Sequence, residues 1–187
     1  EFTMNRLVTL TPEEMDESQQ AVWKEIQSGP RGSSTHGPFM AWLQSPSLAN
    51  HAQKLGEYLR FNSRMDKRLS ELAILTVARH WTAQYEWFAH KELALQGGLA
   101  HDIIDSIERQ ERPNFSSEDE AAVYDFSVEL QQTHQVTDAK YDAVVKHIGR
   151  PGAVDLVGLL GYYTLVSMTL NVYQVKLPNG VPAPLKP

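Results

Sequence analysis

The sequence predicts an all-α domain, and three observations support this prediction. Apolar residues recur at intervals of three and four along several segments, which is the spacing of one buried helix face. Residues typical of helix starts precede most of these segments, and Gly97-Gly98 closes the most distinct one. No segment alternates apolar and polar residues over a useful strand length.

The first helix is expected to begin at Thr11, its N-cap, with proline at the next position. Glu14 completes a capping box, and the helix continues to about Gln27. Residues 28–38 are rich in glycine, serine and proline and form a long loop, which is followed by an apolar helical turn. The helices expected after this turn cover residues 46–61, 68–81, 85–96, 100–109, 117–134 and 137–148.

The starts of these later helices follow from their capping residues. Proline at position 46 fits a first helical position, and Asp66 is expected to cap the next helix. The chain breaks at residues 82–84, between two helices of the central stretch. Ser117 and Glu120 have the spacing of a second capping box.

Pro151 opens the last long helix, in which residues 153–172 are strongly apolar. Twenty such residues are enough to cross a bilayer. Polar residues interrupt them, among them Asp155 and Asn171, and no basic flank marks an orientation. We therefore predict no membrane span but a long buried C-terminal helix that also lies at an oligomer interface.

Composition restricts the function classes. The 187 residues suit a single domain, the net charge of −6 disfavours nucleic-acid binding, and the absence of cysteine excludes disulfides and thiolate metal sites. A cytoplasmic location fits that absence. Residues 1–3 precede Met4 and are expected to be a cloning remnant, which leaves residues 4–187 as one helical domain.

Glu86 and His90 form the most informative pair in the chain. They are four residues apart on a predicted helix, so their side chains share one face. A carboxylate can orient an imidazole and raise its pKa, which makes the pair suitable for proton transfer. Such pairs are also common as solvated surface contacts. The flanking aromatic residues Tyr85 and Trp87 favour a site.

The pattern E-L-A-I-L-x-V-A-R-x-x-x-A-x-Y-E-W-x-x-H at residues 71–90 resembles the carboxymuconolactone decarboxylase family, which includes the alkylhydroperoxidase D-like (AhpD-like) proteins. Similar segments occur in order over residues 37–178. The resemblance implies a compact all-helical subunit of the AhpD-like type that assembles as a trimer or hexamer.

The peroxidase branch of that family carries a glutamate followed by C-x-x-C-x-x-x-H. Aligned here, the glutamate falls on Glu71, the histidine on His90, and the two cysteines on Ala83 and Glu86. Thiol peroxidase chemistry needs a thiolate, so the absence of cysteine excludes it.

The resemblance therefore implies a cofactor-free lyase that decarboxylates a small carboxylic acid, lactone or carbonyl compound, or performs a related proton transfer on it. His90 would act as general acid or base, Glu86 would orient it or act as the base, and Glu71 would hold the second proton position. Decarboxylation leaves an enolate-like charge, for which Arg79 is the best placed cation in sequence; a surface or structural arginine paired with Glu71 or Glu86 is an equal alternative. The expected substrate-binding residues are Tyr85, Trp87, Arg79 and His36.

Two other readings stay open. Glu86 and His90 could bind a metal together with His36, His80 or Glu71, although no H-x-x-x-H pair exists and we expect no metal or other cofactor. The protein could instead be a non-catalytic member that binds a ligand or assembles with partners. Burial of Glu86 and His90 around a cavity would favour the enzyme over this second reading.

Overall fold

The computed structural model describes residues 5–32 and 36–187, and no strand occurs among them. This confirms the predicted all-α class. The proposed cloning remnant at residues 1–3 lies outside the described residues. The described helices are α1 (Glu17–Ser28), α2 (Phe39–Trp42), α3 (Pro46–Glu57), α4 (Lys67–His80), α5 (Gln84–Gln96), α6 (His101–Glu108), α7 (Glu118–Thr133) and α8 (Asp138–Val172).

Helix α4 lies at the centre of the fold and packs against α5, α7 and α8. Its eleven consecutive residues from Leu69 to Arg79 are all buried. The sequence predicts that only one apolar stripe of α4 is buried. The three neighbouring helices cover a larger part of its surface. The polar side chains on α4, including Glu71, are therefore held inside the protein. The Asp66 carboxylate accepts a hydrogen bond from the Arg68 amide, as expected for the N-cap.

The break between α4 and α5 is where the sequence predicts it. Thr82 adopts a left-handed conformation with φ of 45°, and the Ala83 amide donates to the Ala78 carbonyl at 2.8 Å. The chain reverses over these residues, so α5 packs along α4. Helix α5 ends just before Gly98, whose φ of 97° is a conformation that glycine tolerates best.

Two predicted helix starts are wrong in detail. The Glu14 carboxylate does accept from the Thr11 amide at 2.9 Å, as in the predicted capping box, but these residues form only a single turn. Helix α1 begins after Asp16, which makes a complete capping box with Gln19. At α7, the Ser117 hydroxyl does not bond the helix amides but donates to Asp119. The partner expected for Ser117, Glu120, instead pairs with Arg68 on α4.

A π-helical turn, Tyr58–Asn62, continues α3 and gives it the extent predicted from the sequence. Asp155 on α8 ties this turn to the core. One of its carboxylate oxygens accepts from the Tyr58 hydroxyl at 3.0 Å, and the other accepts from the Arg64 amide at 3.1 Å. Single π turns are frequent at functional sites because they redirect the side chains they carry.

Helix α8 is interrupted at Gly149, with φ of 73°, and Pro151 then begins its second part, as predicted. By length and composition α8 could cross a membrane, but 56% of its most apolar window is buried within the domain. More than half of that window therefore packs within the domain. Its outer face still exposes a row of apolar side chains: Val154, Val157, Leu165, Met168 and Val172.

Candidate acid–base site

Three buried polar side chains form a chain of close polar contacts between α4 and α5. The two imidazole nitrogens of His90 face two different carboxylates. Nδ1 lies 2.7 Å from Oε2 of Glu71, and Nε2 lies 2.9 Å from Oε1 of Glu86. Each of the three residues is no more than 5% exposed. Glu86 and His90 are one turn apart on α5, and the reversal of the chain at Thr82 brings Glu71 to the opposite edge of the ring.

The two carboxylates determine the charge of His90. Burial by itself lowers the pKa of His90, but the negative charges of Glu86 and Glu71 and their hydrogen bonds outweigh it and raise the pKa to about 9. At neutral pH the ring is therefore an imidazolium that donates from both nitrogens. The chain of carboxylate, imidazolium and carboxylate can pass a proton along its length.

A cavity of about 340 Å³ lies against one end of this chain. Glu86 and His90 form part of its wall, whereas Glu71 lies behind His90 and does not reach the cavity. Glu86 is thus the carboxylate that a ligand would meet. The other residues of the wall are Pro30, Arg31, His36, Gly37, Pro38, Phe39, Arg60, Phe61, Tyr85, Ala89, Leu93, Tyr162, Tyr163 and Val166.

Two adjacent tyrosines from α8 complete the wall beside His90. The Tyr163 ring meets the His90 ring edge to face, with centroids 5.2 Å apart. Burial raises the pKa of Tyr162 to about 12 and the pKa of Tyr163 well above its usual value. Both side chains therefore remain neutral hydroxyls that can donate hydrogen bonds across the physiological range.

Arg79 does not lie in this cavity, which corrects the expectation based on its closeness in sequence. Its guanidinium is held away from the site by three acceptors: the Glu108 carbonyl at 3.1 Å, the Thr82 hydroxyl at 3.0 Å and the Lys186 carbonyl at 2.8 Å. Arg79 is thus a structural arginine, although not one paired with Glu71 or Glu86. The cations of the cavity wall are Arg31 and Arg60.

Trp87 is also not a wall residue. It is completely buried in the hydrophobic core, since adjacent residues on a helix point about 100° apart and Glu86 takes the cavity side. Tyr85 and His36 line the cavity, and their expected role in substrate binding stays a prediction. His36 is exposed at the mouth, and burial followed by the charge of Glu86 raises the pKa of Tyr85.

Sequence reasoning missed Arg31, Arg60, Tyr162 and Tyr163. The Tyr162-Tyr163 pair had one usable signal, because two hydroxyls inside a strongly apolar helix need polar surroundings. The position of Arg60 depends on the π turn, for which the sequence contains no recognisable pattern.

The described residues contain no preformed donor set for a metal. No group of three or more histidine, aspartate or glutamate side chains among them has metal-binding geometry. Within the site, the two nitrogens of His90 face two different carboxylates, Nδ1 that of Glu71 and Nε2 that of Glu86.

No protein-family model matches the sequence, and no curated protein is similar to it at a significant level. A solved structure with a similar fold is a protein of unknown function from Agrobacterium tumefaciens, described as a candidate antioxidant defence protein, AhpD. The two chains superpose with a TM-score of 0.65 at 14% identity, over 76% of this chain and 99% of the other. This likeness confirms the AhpD-like helical fold predicted from the sequence.

Proposed function

We propose that this protein is a cofactor-free acid–base enzyme that decarboxylates a small carboxylic acid, lactone or carbonyl compound, or performs a related proton transfer on it. We also propose that it belongs to the carboxymuconolactone decarboxylase family. One observation carries the proposed activity: Nε2 of His90 lies 2.9 Å from Oε1 of Glu86 in the wall of a cavity, with Glu71 behind them.

In the decarboxylation, the bond between the carboxylate carbon and its neighbour breaks and carbon dioxide leaves. The electron pair of that bond moves toward an adjacent carbonyl group and forms an enolate. The pair of Glu86 and protonated His90 then supplies one proton to the carbon, and the chain recovers a proton from solvent. Glu71 holds the second nitrogen of His90, which fixes the ring and balances its charge.

The cavity wall has donors suited to the enolate. The Tyr162 and Tyr163 hydroxyls stay neutral because burial raises the pKa of each. The guanidiniums of Arg31 and Arg60 supply the positive charge first expected from Arg79. Such fixed donors stabilise developing negative charge more strongly in a partly dehydrated cavity than in water.

The non-catalytic alternative has less support. A binding or assembly protein has no need to bury two carboxylates around an imidazole, because burying charges is costly. Here Glu86 and His90 are 4% and 5% exposed and face a cavity. Burial of both residues beside a cavity is the arrangement expected to favour the enzyme over a non-catalytic binding protein.

The first experiment is a turnover screen of carboxylated lactones, β-keto acids and peroxides with the purified protein. For the acid that turns over, Glu86→Gln is expected to lower kcat/KM by about 10²-fold or more, because glutamine cannot exchange a proton. Glu92→Gln, an exposed position on the same helix, is the matched control and should keep full activity. Full activity in Glu86→Gln would refute the proposal, and peroxide reduction would contradict the reaction class.

We further propose a cytosolic homo-oligomer, a trimer or hexamer, that assembles through the apolar outer face of α8. Val157 at the middle of this face is 50% exposed, and Val8 is equally exposed outside it. We expect Val157→Glu to lower the molar mass measured by light scattering, because it buries a charge in the contact. Val8→Glu should leave the mass unchanged. A monomeric wild-type protein would contradict the proposal.

A further inference from the structure

We infer that the part of the cavity formed by Arg31, Arg60 and Tyr162 binds a carboxylate, so that the substrate is a small organic anion. This inference rests on the proposed function only for the position of the reacting carbon, beside Glu86 and His90. The anion-binding property itself follows from the contacts of the two arginines.

Arg31 is a partly buried cation with no carboxylate of the described residues within ion-pair distance, and Glu57 acts on it only from farther away. Its Nη1 donates to the Gln53 carbonyl at 3.0 Å, and its guanidinium lies over the Phe39 ring, 5.4 Å from the centroid. Its Nη2 is enclosed beside the Tyr162 hydroxyl and makes no hydrogen bond of standard geometry among the described residues. Burial, together with the positive charge of Arg60, lowers the pKa of Arg31. Buried charges in proteins are normally paired, so an unpaired guanidinium in a cavity wall indicates a missing anion.

Gly56 on α3 makes room for this arrangement. A Cβ atom at this buried position would lie 2.1 Å from the Tyr162 hydroxyl and 2.5 Å from Nη2 of Arg31. No residue with a side chain fits there unless both groups move. Glycine is unfavourable within a helix, and here its presence lets a hydroxyl and a guanidinium converge on one point.

Arg60 is brought to the same cavity by the π turn. The Asp155 carboxylate accepts from Tyr58 and from the Arg64 amide, which anchors the turn on both sides of Arg60. The Arg60 guanidinium lies 5.0 Å from the centroid of the Phe61 ring. Neither Arg60 nor Arg31 forms an ion pair with any carboxylate of the described residues.

The charges of the site are balanced by one bound anion. With His90 protonated, the chain of Glu71, His90 and Glu86 carries one net negative charge. Arg31 and Arg60 carry two positive charges, so these five side chains together carry one positive charge. Glu57, outside the cavity wall, also acts on Arg31 through its negative charge. Most of the remaining wall is apolar, including Phe39, Leu93 and Val166. A substrate with one carboxylate and a small apolar body fits both features.

The test is binding of benzoate compared with benzamide, its neutral relative, measured by calorimetry in chloride-free buffer. We expect benzoate to bind the wild-type protein at least tenfold more tightly than benzamide. Arg31→Gln and Arg60→Gln should each weaken benzoate binding by about 10- to 100-fold, the usual effect of losing a charged hydrogen bond. Arg31→Lys should fall between, because lysine keeps the charge without the planar fork.

Arg64→Gln is the matched control, since the Arg64 side chain is exposed outside the cavity wall, and it should bind benzoate like the wild type. Circular dichroism checks the folding of each variant; if Arg31→Gln does not fold, the ligand comparison and Arg60→Gln still decide. Equal affinity for benzoate and benzamide, or wild-type affinity in both glutamine variants, would overturn the inference.

The two proposals fail separately. Arg31-dependent benzoate binding without turnover of any acid would leave the anion site standing and count against the enzyme. Turnover of a neutral lactone without benzoate binding would support the enzyme and overturn the anion site.

Discussion

Replacing His90 with glutamine is expected to reduce kcat/KM for the acid identified in the substrate screen by about 10²- to 10⁴-fold, the usual contribution of a general acid or base. Glutamine can still donate one hydrogen bond, but it cannot accept a proton and release it again. The two carboxylates that hold His90 would lose the cation between them. Steady-state kinetics with the folded variant measures the effect.

His101→Gln makes the same chemical change at an exposed histidine outside the cavity wall and should leave the kinetics unaltered. If the His90→Gln variant kept more than a tenth of the wild-type kcat/KM, His90 would not be the proton-transfer residue. If KM rose by a larger factor than kcat fell, His90 would act in substrate binding instead.

Raising the pH from 6.5 to above 9 is expected to remove roughly 3 kcal/mol from the free energy of unfolding, which is the stability linked to a pKa shift of this size. The pKa of His90 rises from 6.5 in the unfolded chain to about 9 in the folded protein. A raised folded pKa stabilises the protein fully below the unfolded value. That contribution is lost as the pH rises through the folded value.

Urea denaturation of the wild type and of His90→Gln at pH 6.5 and pH 9.5 measures this loss. Lysine and tyrosine residues that titrate at high pH are common to both proteins, so the difference between the two pH slopes isolates His90. The slope should be steeper in the wild type. Equal slopes in the two proteins would mean that His90 is not protonated between its carboxylates.

Local sequence patterns predict much of the helical architecture. Asp66 caps α4, and Gly97-Gly98 closes α5, because each signal acts within a few residues of the helix end that it determines. Competition between signals explains the errors. Asp16, rather than Thr11, caps the start of α1. Glu120 forms an ion pair with Arg68 instead of completing the expected capping box.

The residues of the candidate site also fall into two groups, those that local patterns predict and those that only the tertiary fold brings together. Glu86 and His90 are predictable because their contact lies within one helical turn, and the family pattern identifies Glu71. Arg31 and Arg60 come from a loop and a π turn, so only the tertiary fold brings them to His90. Closeness in sequence is misleading elsewhere on the same two helices.

Arg79 and Trp87 are the two residues for which closeness in sequence leads to a wrong prediction. Both lie within the family-like pattern, yet each points away from the cavity, Arg79 toward the C-terminal segment and Trp87 into the core. A helix shows a different face at each residue, so the neighbours of a catalytic side chain in sequence are usually not its neighbours in space.

A nitrogen-15 NMR titration of the histidine rings measures whether Glu86 and His90 form one coupled proton-transfer unit. The spectrum of His90→Gln assigns the His90 signals among those of the seven histidines. We expect His90 to stay protonated through pH 8 and to titrate near 9, with a lower pKa in Glu86→Gln. If His90 titrated at or below pH 6.5 in both proteins, Glu86 and His90 would not form a coupled proton-transfer unit.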